Sequence, residues 1–139
     1  MKKIILNIIT IVSLTTVNQA FGGQTQTEMN QEAQAKYSQS DKELNSVYDQ
    51  ILKEYSKDDE FIKSLKTAQR IWVQFRDAET NSKFPAIDPR ITYGSIHPTC
   101  LANYLTELTQ YRTKKLKIWL TGTPEGDCCS GSVKMKPNN

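Results

Sequence analysis

The chain has 139 residues, 37% of them hydrophobic and 24% charged, with a formal net charge of +3, which fits one ordinary globular domain. Six glycines and five prolines are too few for a collagen-like or low-complexity chain. Once Lys2 and Lys3 are set aside as part of a leader, 16 basic residues face 15 acidic ones, so the bulk charge offers no footprint for nucleic acid.

Lys2 and Lys3 precede an apolar run from Ile4 to Val17, and Ala20, Phe21, Gly22 and Gly23 follow. A basic start, an apolar core and small residues at a cut site describe a secretory signal peptide. The core spans 14 residues, short of the ~20 that a spanning helix needs. We place the leader at residues 1–22, with cleavage after Ala20 or Gly22. No cysteine stands there to carry a lipid. The reading predicts a periplasmic or secreted protein with no membrane attachment after cleavage, a helical domain over 23–121 and a tail over 122–139. Charge within the exported part is uneven. From Thr25 to Glu60 there are nine acidic and four basic residues, and from Phe61 onward twelve basic and six acidic, so the first segment is an acidic surface.

Thr25 and Glu28 form a capping box that opens a first helix. Met29, Ala33, Tyr37, Leu44, Val47, Tyr48, Ile51, Leu52 and Tyr55 recur at steps of three and four, one stripe along ~45 Å of helix. Ser40 and Glu43 repeat the box pattern and predict a kink or restart. A second helix begins near Ser56 to Glu60, where Asp58, Asp59 and Glu60 suit the positive end of the dipole. Its stripe is Phe61 or Ile62, Leu65, Ala68, Gln69, Trp72, Phe75 and Arg76, and it stops before Pro85. The short link predicts an antiparallel hairpin. Pro85, Pro89 and Gly94 punctuate an irregular loop. Pro98 starts a third helix, with Leu101, Tyr104, Leu105, Leu108, Tyr111, Arg112, Leu116 and Trp119 as its stripe and Gly122 as its stop. No segment alternates with period two. The predicted fold is therefore all-α, a helical hairpin plus a third helix in a three-helix bundle, with a disordered C-terminal tail from Gly126 that has little to bury.

Few residues offer chemistry. His97 is the one histidine, and no CxxC or HExxH pattern accompanies it, so neither a metal site nor a cofactor site is expected. Cys100 lies three residues on, which leaves a Cys/His pair conceivable on adjacent turns, but a helix-start histidine is the simpler reading. Asp49 with Lys53 is an ordinary solvated helix pair. We read the chain as a non-enzyme. Cys100, Cys128 and Cys129 are an odd number of thiols for an oxidising compartment. Two pairings stay open: a bridge from Cys100 to the tail, holding it taut along ~30 Å of helix, or a bond between molecules through Cys128 or Cys129, giving a disulfide-linked homodimer.

The stretch Ala68-Gln69-Arg70-Ile71-Trp72-Val73-Gln74-Phe75-Arg76-Asp77-Ala78-Glu79 is the most specific in the chain. Taken with Met29-Asn30, Leu44-Asn45 and Tyr48, Gly94-Ser95-Ile96, and Leu108-Thr109 with Arg112 and Leu116, it resembles the LprI-like lysozyme-inhibitor family of small secreted helical domains. The likeness runs from about Thr25 to Leu120. Members carry a cysteine after the Arg-Asp-Ala-Glu run and another four residues before the Leu-Thr pair; here Thr80 and Tyr104 stand there, and Glu32 replaces a third. The resemblance thus implies that one disulfide is missing and that aromatic burial at Tyr104 compensates. Motif residues Asn45, Gln69, Trp72, Arg76, Asp77, Gly94, Ser95, Thr109 and Arg112 also have a structural reading. Trp72 belongs to the core, and Arg76 needs an acid from Asp77, Glu79 or helix one. We expect a polar network tying Gln69, Arg76 and Arg112 to Asn45 or to loop carbonyls.

The resemblance implies a protein that binds and inhibits a lysozyme-like peptidoglycan hydrolase. On this surface the loop from Pro85 to His97 would enter a substrate cleft, with Arg90 pairing with a catalytic carboxylate, Tyr93 stacking on sugar subsites and His97 beside them. Glu54, Asp58 and Asp59 would attract a cationic hydrolase. Two other readings are an immunity protein against a delivered cell-wall hydrolase toxin, and a structural envelope adaptor dimerising through its tail cysteines.

Overall fold

A computed structural model describes residues 23–136; the expected leader lies outside them. Four helices follow in order, α1 (Gln26–Glu54), α2 (Asp59–Lys83), α3 (Pro89–Tyr93) and α4 (His97–Thr121). Thr25 and Glu28 close the expected capping box on α1. The restart at Ser40 does not occur. Ser40 is buried, and its hydroxyl donates to Lys36 O at 3.0 Å, so it returns a bond to the preceding turn and the helix runs on. Asp58 caps α2 by accepting from Phe61 N.

Partners along the helices give their directions. Thr99 meets Asn30, Gln110 meets Ser40 and Lys117 meets Glu43, so α1 and α4 run parallel. Arg76 reaches Asp41, and Tyr55 packs on Phe61, so α2 returns antiparallel to α1. The long helices form the predicted bundle, and its closest approach is between the parallel pair α1 and α4. Their seam is built from small buried residues, Ala33, Ser40, Ala102, Thr109 and Thr113. Axis separation follows the size of the side chains at the contact, and these let two backbones draw together. From α2, by contrast, Phe61, Gln69, Trp72 and Arg76 face inward, and such bulk holds that helix off.

The apolar core fills one end of the bundle. Leu44, Val47, Ile51, Phe61, Leu65 and Leu116 are buried there, with Trp72 and Trp119 packed against them; each fully buried aliphatic side chain contributes roughly 1.5–3 kcal/mol. Ala68, Phe75 and Tyr111, expected on the inner stripes, are exposed instead. Only a narrow arc of α2 meets the α1–α4 pair, and the tryptophan and arginine of its motif occupy it.

Beyond α4 no helix or extended strand forms among the described residues. The irregular chain nonetheless folds back over the core end. Thr123 and Met135 form an isolated bridge, Val133 is buried, and Lys134 pairs with Glu54. Tyr55 organises this return: its hydroxyl donates to Trp119 O at 2.9 Å and accepts from Lys134 N at 3.3 Å. Gly122 makes the turn at φ +76°, and a Cβ there would sit 2.7 Å from Lys134 O. Among the described residues no helix is long and apolar enough to cross a membrane.

Candidate functional site

The motif residues of α2 assemble a polar network beside the core. Arg76 holds Asp77 Oδ1 at 2.8 Å and lies 3.8 Å from Asp41 on α1. Asn45 donates to the other oxygen of Asp41 at 3.2 Å. Trp72 lies between two guanidinium groups, with Arg76 at 5.5 Å and Arg112 at 5.9 Å from its ring, distances at which a cation is attracted to the indole face. Arg112 donates to Gln69 Oε1 at 3.0 Å. The expected single network is thus two hydrogen-bonded groups, Arg76 with Asp41, Asp77 and Asn45, and Arg112 with Gln69, which meet across the Trp72 ring; Asn45 is tied to Arg76 through Asp41 and not to Gln69 or Arg112. Burial draws the Arg112 guanidinium below its ordinary pKa, while the nearby Tyr48 opposes the shift. Thr109 is fully buried in the α1–α4 seam. These residues build the bundle.

Asn30 is a further pin. Its side-chain oxygen accepts from Thr99 Oγ1 at 2.6 Å and from Gln26 Nε2 at 3.0 Å, locking the start of α1 to the start of α4. Tyr104 joins α2 to α4. Its hydroxyl lies 3.2 Å from Glu79 Oε1, and Lys83 Nζ stands 3.5 Å above its ring. Burial, then the Glu79 hydrogen bond and charge, raise its pKa.

The segment between α2 and α4 forms the other end of the bundle. Asp88 caps the one-turn helix α3, accepting from Arg90 N and Ile91 N at 3.1 Å, and Pro89 occupies the first turn. This helix lies inside the expected irregular loop; the Asp-Pro pair is the signal that marks it. Gly94, at φ +72°, ends it, a conformation that favours glycine. Tyr93 stacks on His97 at 5.4 Å, and Phe84 meets both rings edge-on. Tyr93 and His97, expected on the contact surface, are thus half-buried braces, and His97 Nε2 is buried without a partner among the described residues. Outward with Arg90 stand two isoleucines that the sequence alone does not single out, Ile87, fully exposed, and Ile91, 84% exposed. Two apolar residues between prolines, with no helix face to bury them, were the available clue. Beside them Asn30, Arg90, Gly94, Ser95 and Pro98 line a cleft of about 340 Å³.

The acidic trio sits elsewhere. Glu54 pairs with Lys134, Asp58 caps α2, and Asp59 is exposed in the first turn. α1 has 29 residues, so at ~1.5 Å per residue these acids lie roughly 40 Å from the Arg90 end. One standard interface of about 800 Å² per partner is too small to cover both ends. All three thiols are free and exposed. Cys100 lies at the Arg90 end, whereas Cys128 and Cys129 lie on the tail that Tyr55 and Glu54 hold at the core end. Among the described residues no cluster of His, Cys, Asp and Glu is arranged to hold a metal ion.

Compared with protein families, residues 17–116 match the model described as lysozyme inhibitor LprI. No curated protein and no solved structure gives a significant match.

Proposed function

Because the chain belongs to the LprI lysozyme-inhibitor family, we propose that it is a non-enzymatic protein of the periplasm or the medium that binds a lysozyme-like peptidoglycan hydrolase through its Arg90 end. The observation that carries this choice of surface is the capped turn of α3, which holds Arg90 and Ile91 outward on a base of packed rings, with exposed Ile87 just before its cap. Exposed isoleucines beside a cation on a braced element suit an anchor that enters a cleft, because little ordering cost remains to be met on binding. Hydrolases of this kind work with paired carboxylates, and Arg90 offers a planar guanidinium to meet one. Tyr93 and His97 contribute by fixing the turn rather than by touching sugar subsites. Asp59 and the acidic outer face of α1 steer a cationic hydrolase from a distance.

Residual lysozyme activity, measured with stoichiometric protein spanning residues 23–139, tests this. Inhibition is expected, weakening as salt screens the steering charges. Arg90→Glu and Ile91→Asp should each weaken it by about tenfold or more, and Asp59→Asn should change chiefly the association rate. Absence of inhibition across several lysozyme types defeats the reading. Inhibition that survives both loop substitutions moves the docking surface elsewhere.

A further inference from the structure

The open side between α2 and α4, at the core end, holds a slot that hydrolase binding does not use. Its volume is about 330 Å³; Phe61, Leu116 and Trp119 form the floor, Ala68 one lip, and Arg112 and Lys115 the other. Neither cation has an acidic partner within 4 Å among the described residues. Arg112 spends one donor on Gln69, of the five that its guanidinium carries. Among the described residues Lys115 has the Tyr111 ring, 5.5 Å away, as its neighbour. Arg76, by comparison, faces two aspartates. A half-buried arginine that has lost hydration and gained no carboxylate favours an anion brought to it. The apolar floor asks for a hydrocarbon body on that anion, and Ala68, the residue at the open lip, leaves room for it to enter.

We propose that this slot binds a single-chain carboxylate amphiphile, its hydrocarbon lying on Phe61, Leu116 and Trp119 and its carboxylate between Arg112 and Lys115. The slot, about 330 Å³ and open along one side, suits a single chain of medium length.

Decanoate is the probe. Titrated into protein spanning residues 23–139, it should change tryptophan fluorescence saturably at one site, and Trp119→Phe should remove most of that change. Decanol and decyltrimethylammonium should bind about tenfold more weakly or worse, since each lacks the charge-assisted contacts. Lys115→Glu and Ala68→Trp should each cost about tenfold in affinity for the same reason or by filling the slot. Both positions are exposed, and thermal melting monitors their folding; if Ala68→Trp does not fold, Lys115→Glu decides. The proposal is overturned by no saturation below the micelle concentration, by equal binding of decanol, or by unchanged affinity in Lys115→Glu. Decanoate-independent dimerisation in sedimentation that Ala68→Trp abolishes would also overturn it, by naming a second copy as the occupant.

Discussion

Two threonines one turn apart on α4 give a sharp test of how the α1–α4 seam is held. Thr109 is fully buried, and its hydroxyl has no hydrogen-bond partner among the described residues. Thr113 is 4% exposed, and its hydroxyl donates to Thr109 O at 2.9 Å. A buried hydroxyl left unpaired costs roughly 1–3 kcal/mol, whereas a neutral hydrogen bond contributes about 0.5–1.5 kcal/mol net. Valine has nearly the shape of threonine and a similar helix propensity. Thr109→Val should therefore stabilise the bundle by about 1 kcal/mol, although Thr109 belongs to the family motif, and Thr113→Val should destabilise it by about the same amount. For a domain of this size each change moves the melting temperature by roughly 4 °C, in opposite directions. Circular dichroism melts, with urea titrations to confirm an unchanged m-value, would measure both. If Thr109→Val melts below the parent, or if the two substitutions shift it the same way, the assignment of an unsatisfied hydroxyl at Thr109 is wrong.

Leu116→Ala empties a site 2% exposed at the centre of the core and should cost about 3–5 kcal/mol, read as a lowered urea midpoint. Gly122→Ala combines a left-handed φ with a Cβ 2.7 Å from Lys134 O. It should lift the tail from Tyr55 while leaving α1 and α2 intact, so limited proteolysis should cut near Lys134 and Lys136 much faster. The Glu28 carboxyl is held below its ordinary value of 4.5, first by the Thr25 backbone N–H and then by the Thr25 hydroxyl. A lowered folded-state pKa means that the capping box contributes fully above pH 4.5 and is lost as pH falls through the lowered value. Amide exchange at Thr25 and Glu28 should accelerate over that acid window; Glu28→Gln should abolish the pH dependence, whereas Thr25→Ala should only weaken it, because the backbone N–H remains.

Helix starts and stops were legible because capping is local. Thr25 with Glu28, Asp58 before Phe61, Pro98 in a first turn and Gly122 after Thr121 each act through bonds spanning a few residues. Arg76 was legible in part: a mostly buried guanidinium requires an acid, and Asp77 is its sequence neighbour. That Asp41 completes the pairing depends on which turn of α1 lies opposite, which local chemistry does not encode. Likewise the Glu79 and Lys83 contacts of Tyr104 needed the helices set side by side. Of the surface residues chosen from sequence, Arg90 is exposed as expected, while Tyr93 and His97 turned inward because Phe84 supplies a third ring.

The sequence by itself determined three long amphipathic helices, their ends, and a family motif centred on Trp72 and Arg76, since periodicity and capping are written in neighbouring residues. Tertiary structure decided which faces meet. Small side chains at Ala33, Ser40, Ala102 and Thr109 bring α1 and α4 together, a preference that shows only when two distant segments are compared at once. The same packing separates the Arg90 turn from the acidic trio by the length of the bundle and leaves the slot beside Arg112 open, because α2 is too bulky on its inner face to close it.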